Sequence, residues 1–344
     1  MPPSKSTPVL HVVASFNERD GGPARYISEL CSNLAARGHA ISLLTAIAPR
    51  ETLMSVDSRV RVRVVPQNGS ANGSGFAGAV TAWTRLHAGG IVHQHGLWRS
   101  TMHRAAVAAR RARVPVVWAP MGMLEPWALG HRAWKKKLAW WMYQRRDLAG
   151  AAVLHATSRL EADGVRQAGL HAPVAVIPLG VTLPERARPD RPELPTRTAL
   201  FLSRIHPKKG LLMLLEAWAA LRPAGWRLVI AGNDENGHAA EVRAAIARLR
   251  LNDVVSMPGP AYGEAKEELF REAQIFILPS HSENFAVVIA EALVRELPVL
   301  TTTGTPWPEL IEKKAGWWVE PEIASIQAAL AAATALPREE LRAM

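Results

Sequence analysis

The sequence predicts an α/β protein made of two doubly wound domains. The chain has 344 residues, of which 48% are hydrophobic and 21% charged, so it can bury the cores of two domains. Short apolar runs alternate with helix-length amphipathic stretches in two successive blocks. Such alternation is typical of βαβ units around a parallel sheet. A segment rich in proline and charge separates the blocks, and we expect the ligand site in the cleft between the two domains.

The first block, residues 1–184, begins with a buried apolar strand and continues with alternating helices and strands. Amphipathic periodicity predicts helices over Ala24–Arg37 and Thr101–Arg113. Residues Gln67–Gly78 are rich in Gly, Asn and Ser and are predicted to form a loop. The predicted strands are Val9–Ala14, Ala40–Thr45, Arg61–Val65, Ile91–His95, Val114–Ala119, Ala151–Ala156 and Val174–Ile177.

Residues 185–195 form the predicted linker, because this density of proline and charge fits neither a helix nor a central strand. The alternation then restarts in a second domain, residues 196–344. Its predicted elements are the strands Thr198–Leu202, Arg227–Ala231, Val254–Met257, Ile275–Leu278 and Val299–Thr302 and the helices Leu211–Leu221, Ala239–Leu249, Gly263–Glu272 and Phe285–Glu296.

The composition excludes several classes of protein. No run of about 18 uncharged apolar residues occurs, so no membrane-spanning helix is predicted. The chain has a single cysteine, Cys31, which excludes an internal disulfide and a cysteine-cluster metal site. We therefore expect a cytoplasmic protein.

The net charge of +11 is concentrated in the first half of the chain. Residues 1–190 contain 24 Lys and Arg against 11 Asp and Glu, whereas residues 191–344 contain 17 against 19. A basic half favours an anionic partner, such as a phosphorylated substrate, phospholipid headgroups or nucleic acid. A generally arginine-rich composition is the alternative interpretation.

Three cations follow the first strand of the second domain, in the segment FLSRIHPKKG. Arg204, Lys208 and Lys209 lie between a predicted strand and a predicted helix. Cations beside a helix N-terminus form an anion pocket, and an Arg fork with a Lys point charge suits a diphosphate. A solvated turn with exposed cations is the alternative.

Two carboxylates lie in SENFAVVIAEAL, at Glu283 and Glu291. Eight residues of helix span about 12 Å, too far for the acid and base pair of a glycosidase. Two carboxylates at this spacing can instead hold hydroxyl groups on different parts of a long polar ligand. One capping carboxylate and one surface glutamate is the alternative.

A third motif, NERDGGPARYISEL, places Gly21 and Gly22 between the first strand and a helix. Glycines at this point let a ligand approach the backbone closely. No G-x-G-x-x-G motif occurs, so the dinucleotide fingerprint is absent. An ordinary turn is the alternative.

Taken together, these three motifs resemble retaining glycosyltransferases of family four, which have two Rossmann-like domains in the GT-B fold. The resemblance runs from about Val9 to about Leu336, in the order and spacing of that family. Its most specific parts are the E-x7-E spacing of Glu283 and Glu291 and the R-x4-K spacing of Arg204 and Lys209.

The resemblance implies transfer of a sugar from a nucleotide-sugar with retention of configuration and without a bound metal or other cofactor. Arg204, Lys209 and Glu283 would be the catalytic residues: the two cations, both expected to be exposed to the cleft, would hold the diphosphate, and Glu283 would hold the donor sugar. Further donor contacts would come from the loop and helix residues Gly21, Gly22, Asn284, Phe285, Ala286 and Glu291, the last of these binding the ribose hydroxyls.

The sequence departs from the family at three points. Asn284-Phe285-Ala286 stands where relatives have Gly-Phe-Gly, and Met121 stands where many relatives have a histidine. The chain ends at Met344 without the segment that in relatives crosses back to the first domain, so we expect this final helix to be absent.

His93 and His95 lie two residues apart at the end of a predicted strand, so both side chains are on one face. We expect His95 to contact the acceptor or the donor sugar, with a structural histidine as the alternative. A metal pair is disfavoured, because no third ligand stands nearby in the sequence. We expect no metal site.

Residues 131–146, HRAWKKKLAWWMYQRR, are the most basic segment. On a helix, Trp134, Leu138 and Trp141 form one stripe, as in helices that bind a membrane interface. This pattern predicts a peripheral attachment to an anionic membrane surface, on its inner face. The alternative is a helix whose stripe faces the core.

The sequence thus predicts a metal-independent glycosyltransferase that acts on a glycan or a lipid-linked acceptor in polysaccharide or lipopolysaccharide biosynthesis. An epimerase or hydrolase of nucleotide-sugars with the same fold remains open. So does a basic nucleic-acid-binding protein, although no nucleic-acid-binding module is recognised and we expect no nucleic-acid partner.

Overall fold

The computed structural model describes residues 7–17, 22–48, 51–66, 72–130, 133–183 and 195–344. The chain divides into two units, Met1–Gly180 and Val181–Met344. The predicted linker, residues 185–195, lies outside the described residues except for Pro195.

The first unit contains a seven-stranded parallel sheet in the order β3-β2-β1-β4-β5-β6-β7. Its strands are β1 (Val9–Val13), β2 (Ile41–Ile47), β3 (Arg61–Pro66), β4 (Ile91–His95), β5 (Val116–Ala119), β6 (Val153–Ala156) and β7 (Val174–Val176). Its helices are α1 (Gly22–Ala36), α2 (Asn72–Leu86), α3 (Ser100–Arg111), α4 (Pro126–Gly130), α5 (Ala133–Ala139), α6 (Arg145–Ala149) and α7 (Arg159–Gln167), with a π-helical turn, Trp140–Gln144, between α5 and α6.

The second unit contains a six-stranded parallel sheet in the order β10-β9-β8-β11-β12-β13. Its strands are β8 (Arg197–Leu202), β9 (Trp226–Ala231), β10 (Val255–Gly259), β11 (Ala273–Leu278), β12 (Val299–Thr302) and β13 (Gly316–Val319). Its helices are α8 (Leu211–Leu221), α9 (His238–Arg248), α10 (Gly263–Glu272), α11 (Val287–Leu293), α12 (Glu309–Glu312), α13 (Ile323–Ala335) and α14 (Arg338–Ala343), and Pro207–Lys209 form a 3-10 turn.

The predicted α/β class is confirmed, because each unit is a parallel sheet with helical crossovers. In the first unit, alternate strand residues such as Leu10, Val12 and Val92 pack against α2 and α3. Strand geometry then places the intervening residues, among them the histidines of β1 and β4, on the opposite face. In the second unit, the central strands β8 and β11 are buried along almost their whole length.

Two element predictions were wrong. Residues Asn72–Gly78 belong to α2 and not to a loop, because Phe76, Ala79 and Val80 pack into the core and their burial overrides the local preference of Gly and Asn. The helix predicted over Phe285–Glu296 is shorter, spanning only Val287–Leu293. Ala286 lies before it with a φ of 59°, a left-handed conformation that ends the loop.

Candidate functional site

The candidate site of the second unit lies where the direction of strand order reverses. Strands β9 and β10 lie on one side of β8, whereas β12 and β13 lie beyond its other neighbour, β11. In open parallel sheets, ligands bind beyond the carboxyl ends of the two strands at such a switch point. The loops that follow β8 and β11, residues 203–210 and 279–286, carry the three residues predicted to be catalytic, Arg204, Lys209 and Glu283.

Lys209 and Glu283 form a buried ion pair between these two loops. The Lys209 Nζ atom donates to Glu283 Oε1 at 2.5 Å, and the Ser280 hydroxyl donates to the same oxygen at 2.6 Å. The backbone also joins the loops, because the amide of His281 donates to the carbonyl of Lys208. The structure therefore brings together two predicted residues that are 74 positions apart in the sequence.

A glycine permits this close approach. Gly210, directly after Lys209, has a φ of 69°. A Cβ atom added there would lie 2.1 Å from the carbonyl oxygen of Pro279, so any side chain would separate the loops. The position of the Lys209 amine therefore depends on Gly210.

Burial and pairing act in opposite directions on this pair. Burial tends to raise the pKa of Glu283, but Lys209 and the Ser280 hydroxyl outweigh it and hold that pKa below its usual value. Burial lowers the pKa of Lys209, although Glu283 opposes the shift. The Lys209 Nζ atom and the Glu283 carboxylate form an ion pair at 2.5 Å, so the site contains an ammonium group that is fixed in position.

The exposure predicted for Lys209 was wrong. Its side chain faces Glu283 and only 7% of the residue is exposed, since loops 203–210 and 279–286 close around it. Replacing Lys209 would therefore affect stability as well as any ligand, because the Glu283 carboxylate would be left buried and unpaired.

Arg204 is the accessible cation of the site. Its side chain is 53% exposed, and its Nη1 atom donates to Glu235 Oε2 at 2.5 Å. Glu235 belongs to the loop after β9. An exposed ion pair of this kind contributes little stability, so the guanidinium can exchange Glu235 for another anion at low cost.

Trp307 holds the segment between Glu283 and α11 in place. The Trp307 indole donates to the carbonyl of Phe285 at 2.5 Å, and the two rings lie 5.1 Å apart. The Glu283 amide donates to the carbonyl of Gly304 at 2.7 Å. Glu283 thus lies outside the helix, in a loop with defined geometry.

Glu291 is on α11 and pairs with a residue that sequence reasoning missed. Lys266 of α10 donates to Glu291 Oε1 at 2.6 Å, and both side chains are largely buried. Lys266 lies 25 residues from Glu291, and no local motif connects the two.

The glycine motif of the first unit is only partly described. Gly21 lies outside the described residues. Gly22 is exposed at the first position of α1, and a Cβ atom added there would meet nothing within 4 Å. The role predicted for both glycines stays a prediction.

Four histidines of the first unit form a cluster near its own switch point, which lies between β1 and β4. His95 is only 7% exposed, and its Nε2 atom lies 3.0 Å from Nδ1 of His11. His93 pairs in register with His11, and His155 on β6 places Nδ1 3.2 Å from Nε2 of His93. The prediction that no third ligand stands near His93 and His95 was wrong, because β1 brings His11 beside them.

Burial keeps three of these imidazoles, those of His11, His93 and His95, uncharged at neutral pH. Burial, together with repulsion from His155, lowers the pKa of His11 to about 4. Burial also lowers the pKa values of His93 and His95 well below their usual range, with neighbouring histidines adding to the effect. The predicted contact between His95 and a sugar stays a prediction, and its small exposed area limits such a contact.

Met121 lies in a loop held by a buried carboxylate. Met121 has a φ of 57°, and the amide of the following residue, Gly122, donates to Glu161 at 2.6 Å. Glu161 also accepts from the amide and the hydroxyl of Thr157. Sequence reasoning missed Glu161, although its place three residues after the N-cap Ser158 follows the capping-box pattern.

The stripe of the basic segment is exposed, which excludes the core-facing alternative. Trp134 and Trp141 are 69% and 78% exposed, and Leu138 and Met142 are also exposed. The π-helical turn lies within this stripe, while Gln144, Asp147 and Leu148 anchor the segment in the core. Within the described ranges, none of the helices combines the length and the apolar character needed to cross a bilayer.

The geometry of the second unit can stabilise negative charge. A fixed ammonium group and an accessible guanidinium lie at the carboxyl end of a parallel sheet, where anionic ligands bind in doubly wound folds. A carboxylate that holds the ammonium group in place offers its second oxygen to hydroxyl groups. This combination suits a ligand that contains both phosphate and sugar.

Solved structures share the whole fold of the chain. Anabaena HepE in complex with UDP aligns with a TM-score of 0.76 at 18% identity, over 98% of this chain and 94% of that one. Sucrose-phosphate synthase from Thermosynechococcus elongatus aligns with a TM-score of 0.74 at 18% identity, over the same shares. Two doubly wound domains with these neighbours have the GT-B fold.

Both halves of the chain match known protein families. Residues 21–180 match the glycosyl transferase 4-like domain, and residues 185–344 match the glycosyl transferases group 1. Together the two matches support a group 1 glycosyltransferase, so the predicted enzyme class, a glycosyltransferase, is confirmed and neither alternative function is favoured.

Curated relatives are more distant. A GDP-mannose:cellobiosyl-diphosphopolyprenol alpha-mannosyltransferase of Xanthomonas oryzae pv. oryzae is 27% identical over 85% of this chain and 78% of its own length. A D-inositol 3-phosphate glycosyltransferase of Streptomyces bingchenggensis is 29% identical over 81% of this chain and 69% of its own.

Proposed function

We propose that this glycosyltransferase transfers a sugar from a UDP- or GDP-sugar to a glycan or a lipid-linked acceptor, with retention of the anomeric configuration, in polysaccharide or lipopolysaccharide biosynthesis. The observation that carries the proposal is the arrangement of Lys209, Arg204 and Glu283 at the switch point of the second sheet. The name of the Xanthomonas relative gives GDP-mannose as its donor and a lipid-linked acceptor, and the HepE structure contains UDP, all of which belong to these classes.

The chemical step requires stabilisation of a departing diphosphate. When the bond between the sugar and the phosphate oxygen breaks, negative charge develops on the diphosphate, and preorganised cations lower the barrier. Lys209 supplies a point charge that Glu283 and the surrounding loops hold in place. Arg204 supplies a planar fork and exchanges Glu235 for the more highly charged diphosphate. We expect transfer to proceed without an added metal ion.

The remaining predicted residues would bind the rest of the donor. Glu283 Oε2 and the amides of Asn284, Phe285 and Ala286 would hold the sugar. Glu291, oriented by Lys266, would accept hydrogen bonds from the ribose hydroxyls. Gly21 and Gly22 would admit the phosphates. A contact of His95 with the sugar or the acceptor is not part of the proposal, because His95 is only 7% exposed.

A nucleotide screen with a matched pair of variants tests the donor site. The melting temperature should rise with UDP or GDP and their sugars, because a ligand that binds the native state stabilises it. Arg204→Ala should lose most of this rise and reduce turnover about 100-fold. Arg248→Ala is the control, since Arg248 forms a similarly exposed pair with Glu216 at 2.6 Å on the outside of the second unit.

Two outcomes would contradict the donor proposal. One is a melting temperature that no nucleoside diphosphate raises. The other is an Arg204→Ala variant that behaves like Arg248→Ala. Nuclear magnetic resonance of the product gives the anomeric configuration, and release of free sugar in the absence of acceptor would indicate a hydrolase instead.

A second part of the proposal is attachment of the first unit to an anionic membrane surface. Trp134, Leu138, Trp141 and Met142 expose a contiguous apolar stripe on α5 and the π-helical turn. Exposed cations on the same segment, Lys135, Lys137, Arg145 and Arg146, surround it. Tryptophan with Lys and Arg is the composition of helices that lie in a membrane interface, and a lipid-linked acceptor would be presented there.

Co-sedimentation with vesicles tests this attachment. Full-length protein should bind vesicles that contain phosphatidylglycerol more strongly than vesicles of phosphatidylcholine alone. Lys135→Glu/Lys137→Glu should weaken binding, by about 1 kcal/mol for each cation removed. The control Lys313→Glu/Lys314→Glu changes two exposed lysines of the second unit and should bind like the unchanged protein. Equal and negligible binding to both vesicles would reject the attachment.

A further inference from the structure

Four histidines of the first unit converge on one face of its sheet. His11 lies on β1 and His93 and His95 on β4, the two strands that flank the switch point, and His155 lies on β6, two strands beyond β4. One ring nitrogen from each of His11, His93 and His95 lies within 4.8 Å of those of the other two. The ring centroids are 4.2 to 5.3 Å apart. This cluster has no part in the diphosphate chemistry proposed for the second unit.

The spacing is close to that of a metal site. Nitrogens bound to one tetrahedral Zn²⁺ ion at about 2.0–2.1 Å lie roughly 3.4 Å from one another. Small rotations of the three rings about their side-chain bonds would reach that spacing from the observed one. The strand register already places His11 directly opposite His93.

His155 has the orientation of an anchored ligand. Its Nε2 atom lies 2.9 Å from the carbonyl oxygen of Ile177, which can only accept, so Nε2 carries the proton. In the neutral ring, Nδ1 then has a free electron pair, and it lies 3.2 Å from His93 Nε2. Histidines that bind metals typically donate their other N–H group to a backbone carbonyl in this way.

Two ring nitrogens of the cluster lack partners among the described residues. His11 Nε2 and His95 Nδ1 are buried and form no hydrogen bond there. The other nitrogens of these two rings share one proton across 3.0 Å. Whichever ring donates, one of the two buried atoms is an unused electron pair. Such atoms are uncommon in native proteins and call for an explanation, of which a bound ion is one.

From this geometry we infer that His11, His93, His95 and His155 form a binding site for a divalent transition-metal ion, with Zn²⁺ as the expected ion. The donors are imidazoles without a carboxylate, a set that suits Zn²⁺, Co²⁺ or Ni²⁺ and disfavours Mg²⁺ and Ca²⁺, which prefer oxygen ligands. The ion would link β1, β4 and β6 and so stabilise the first unit. It would take no part in the transfer step.

Metal titration of the chelator-treated, full-length protein tests this inference. Calorimetry should show one Zn²⁺ ion bound per chain and no binding of Mg²⁺. With Co²⁺, the protein should show the intense visible absorption of tetrahedral coordination. Zn²⁺ should also raise the melting temperature, and all of these measurements are made without nucleotide or acceptor.

Two variants and a control locate the ion. His11→Phe and His95→Phe each keep an aromatic ring of similar size and should lower Zn²⁺ affinity at least tenfold, with an unchanged circular dichroism spectrum. His39→Phe changes an exposed histidine of the same unit and should bind like the unchanged protein. If one cluster variant fails to fold, the other decides. Absence of Zn²⁺ binding, octahedral Co²⁺ spectra, or full affinity in a folded cluster variant would overturn the inference.

Discussion

The two sheets have the same strand order around their central pair, yet their switch points carry different chemistry. In the first unit, β1 and β4 carry uncharged, buried imidazoles on the strands themselves. In the second, the loops beyond β8 and β11 carry a charged lysine and a charged glutamate that hold each other in place. One topology thus provides an uncharged nitrogen cluster in one domain and a fixed positive charge in the other.

The two sites differ in how much folding free energy is lost when their polar groups are buried. A buried ion pair loses hydration that its mutual attraction only partly returns, so its retention points to a function for the charge. A neutral imidazole loses far less hydration free energy on burial. The two buried ring nitrogens without a hydrogen bond among the described residues still destabilise the fold, although less than an unpaired charge would. Stability measurements should therefore distinguish the two switch points.

The largest effect is expected from Lys209→Ala. Removal of the ammonium group leaves the Glu283 carboxylate buried and unpaired, so the unfolding free energy should fall by about 3 kcal/mol. Turnover should fall about 1,000-fold, because the fixed charge that faces the diphosphate is lost. Urea unfolding and steady-state kinetics measure the two effects.

A double variant separates stability from chemistry at the same position. Lys209→Met/Glu283→Gln removes both charges and keeps similar volumes, so most of the lost stability should return while turnover stays low. Recovery of turnover together with stability would show that Lys209 has only a structural role.

A smaller effect is expected from Glu161→Gln in the first unit. This change replaces one of the two carboxylate oxygens with an NH2 group, so the buried amide of either Gly122 or Thr157 loses its acceptor, which should cost about 2 kcal/mol. Asp163→Asn, an exposed change on the same helix, is the control and should fall within about 0.5 kcal/mol of the unchanged protein. Equal unfolding curves for the two variants would contradict the role given to Glu161.

The smallest effect is expected in how the melting temperature depends on pH in the acid range. Because the pKa of Glu283 is lower in the folded protein than in the unfolded chain, its contribution to stability is complete above its ordinary pKa and is lost as the pH falls through the lowered value. The melting temperature should therefore decline in acid less steeply for Glu283→Gln than for the unchanged protein. Parallel profiles from pH 3 to pH 6 would contradict this assignment of the pKa.

Much of the fold could be predicted because its signals are local. Alternating apolar runs located strands such as β4 and β12 to the residue, and the periodicity of α8 and α10 did the same for these helices. The N-terminal part of α2 escaped prediction. Its Gly, Asn and Ser residues favour a loop locally, and only the packing of Phe76 and Val80 makes a helix there.

The site could be predicted only in part, for the same physical reason. Lys209 and Glu283 each stand in a recognisable local motif, so the sequence located both. Their burial against each other depends on the pairing of β8 with β11 and on the closeness that Gly210 permits. Lys266 belongs to no recognisable motif, and the capping-box position of Glu161 does not predict its contact with Gly122. Both contacts were found only in the structure.

The sequence by itself determined the order of elements, the two-domain α/β class and the loops that carry the cations, because periodicity and short-range spacing are properties of neighbouring residues. Only the tertiary structure decided which distant side chains meet. His11 and His95 are 84 positions apart and join through the pairing of β1 with β4. Long-range packing likewise determined how far each charged side chain is buried, since burial depends on the whole domain and not on any one segment.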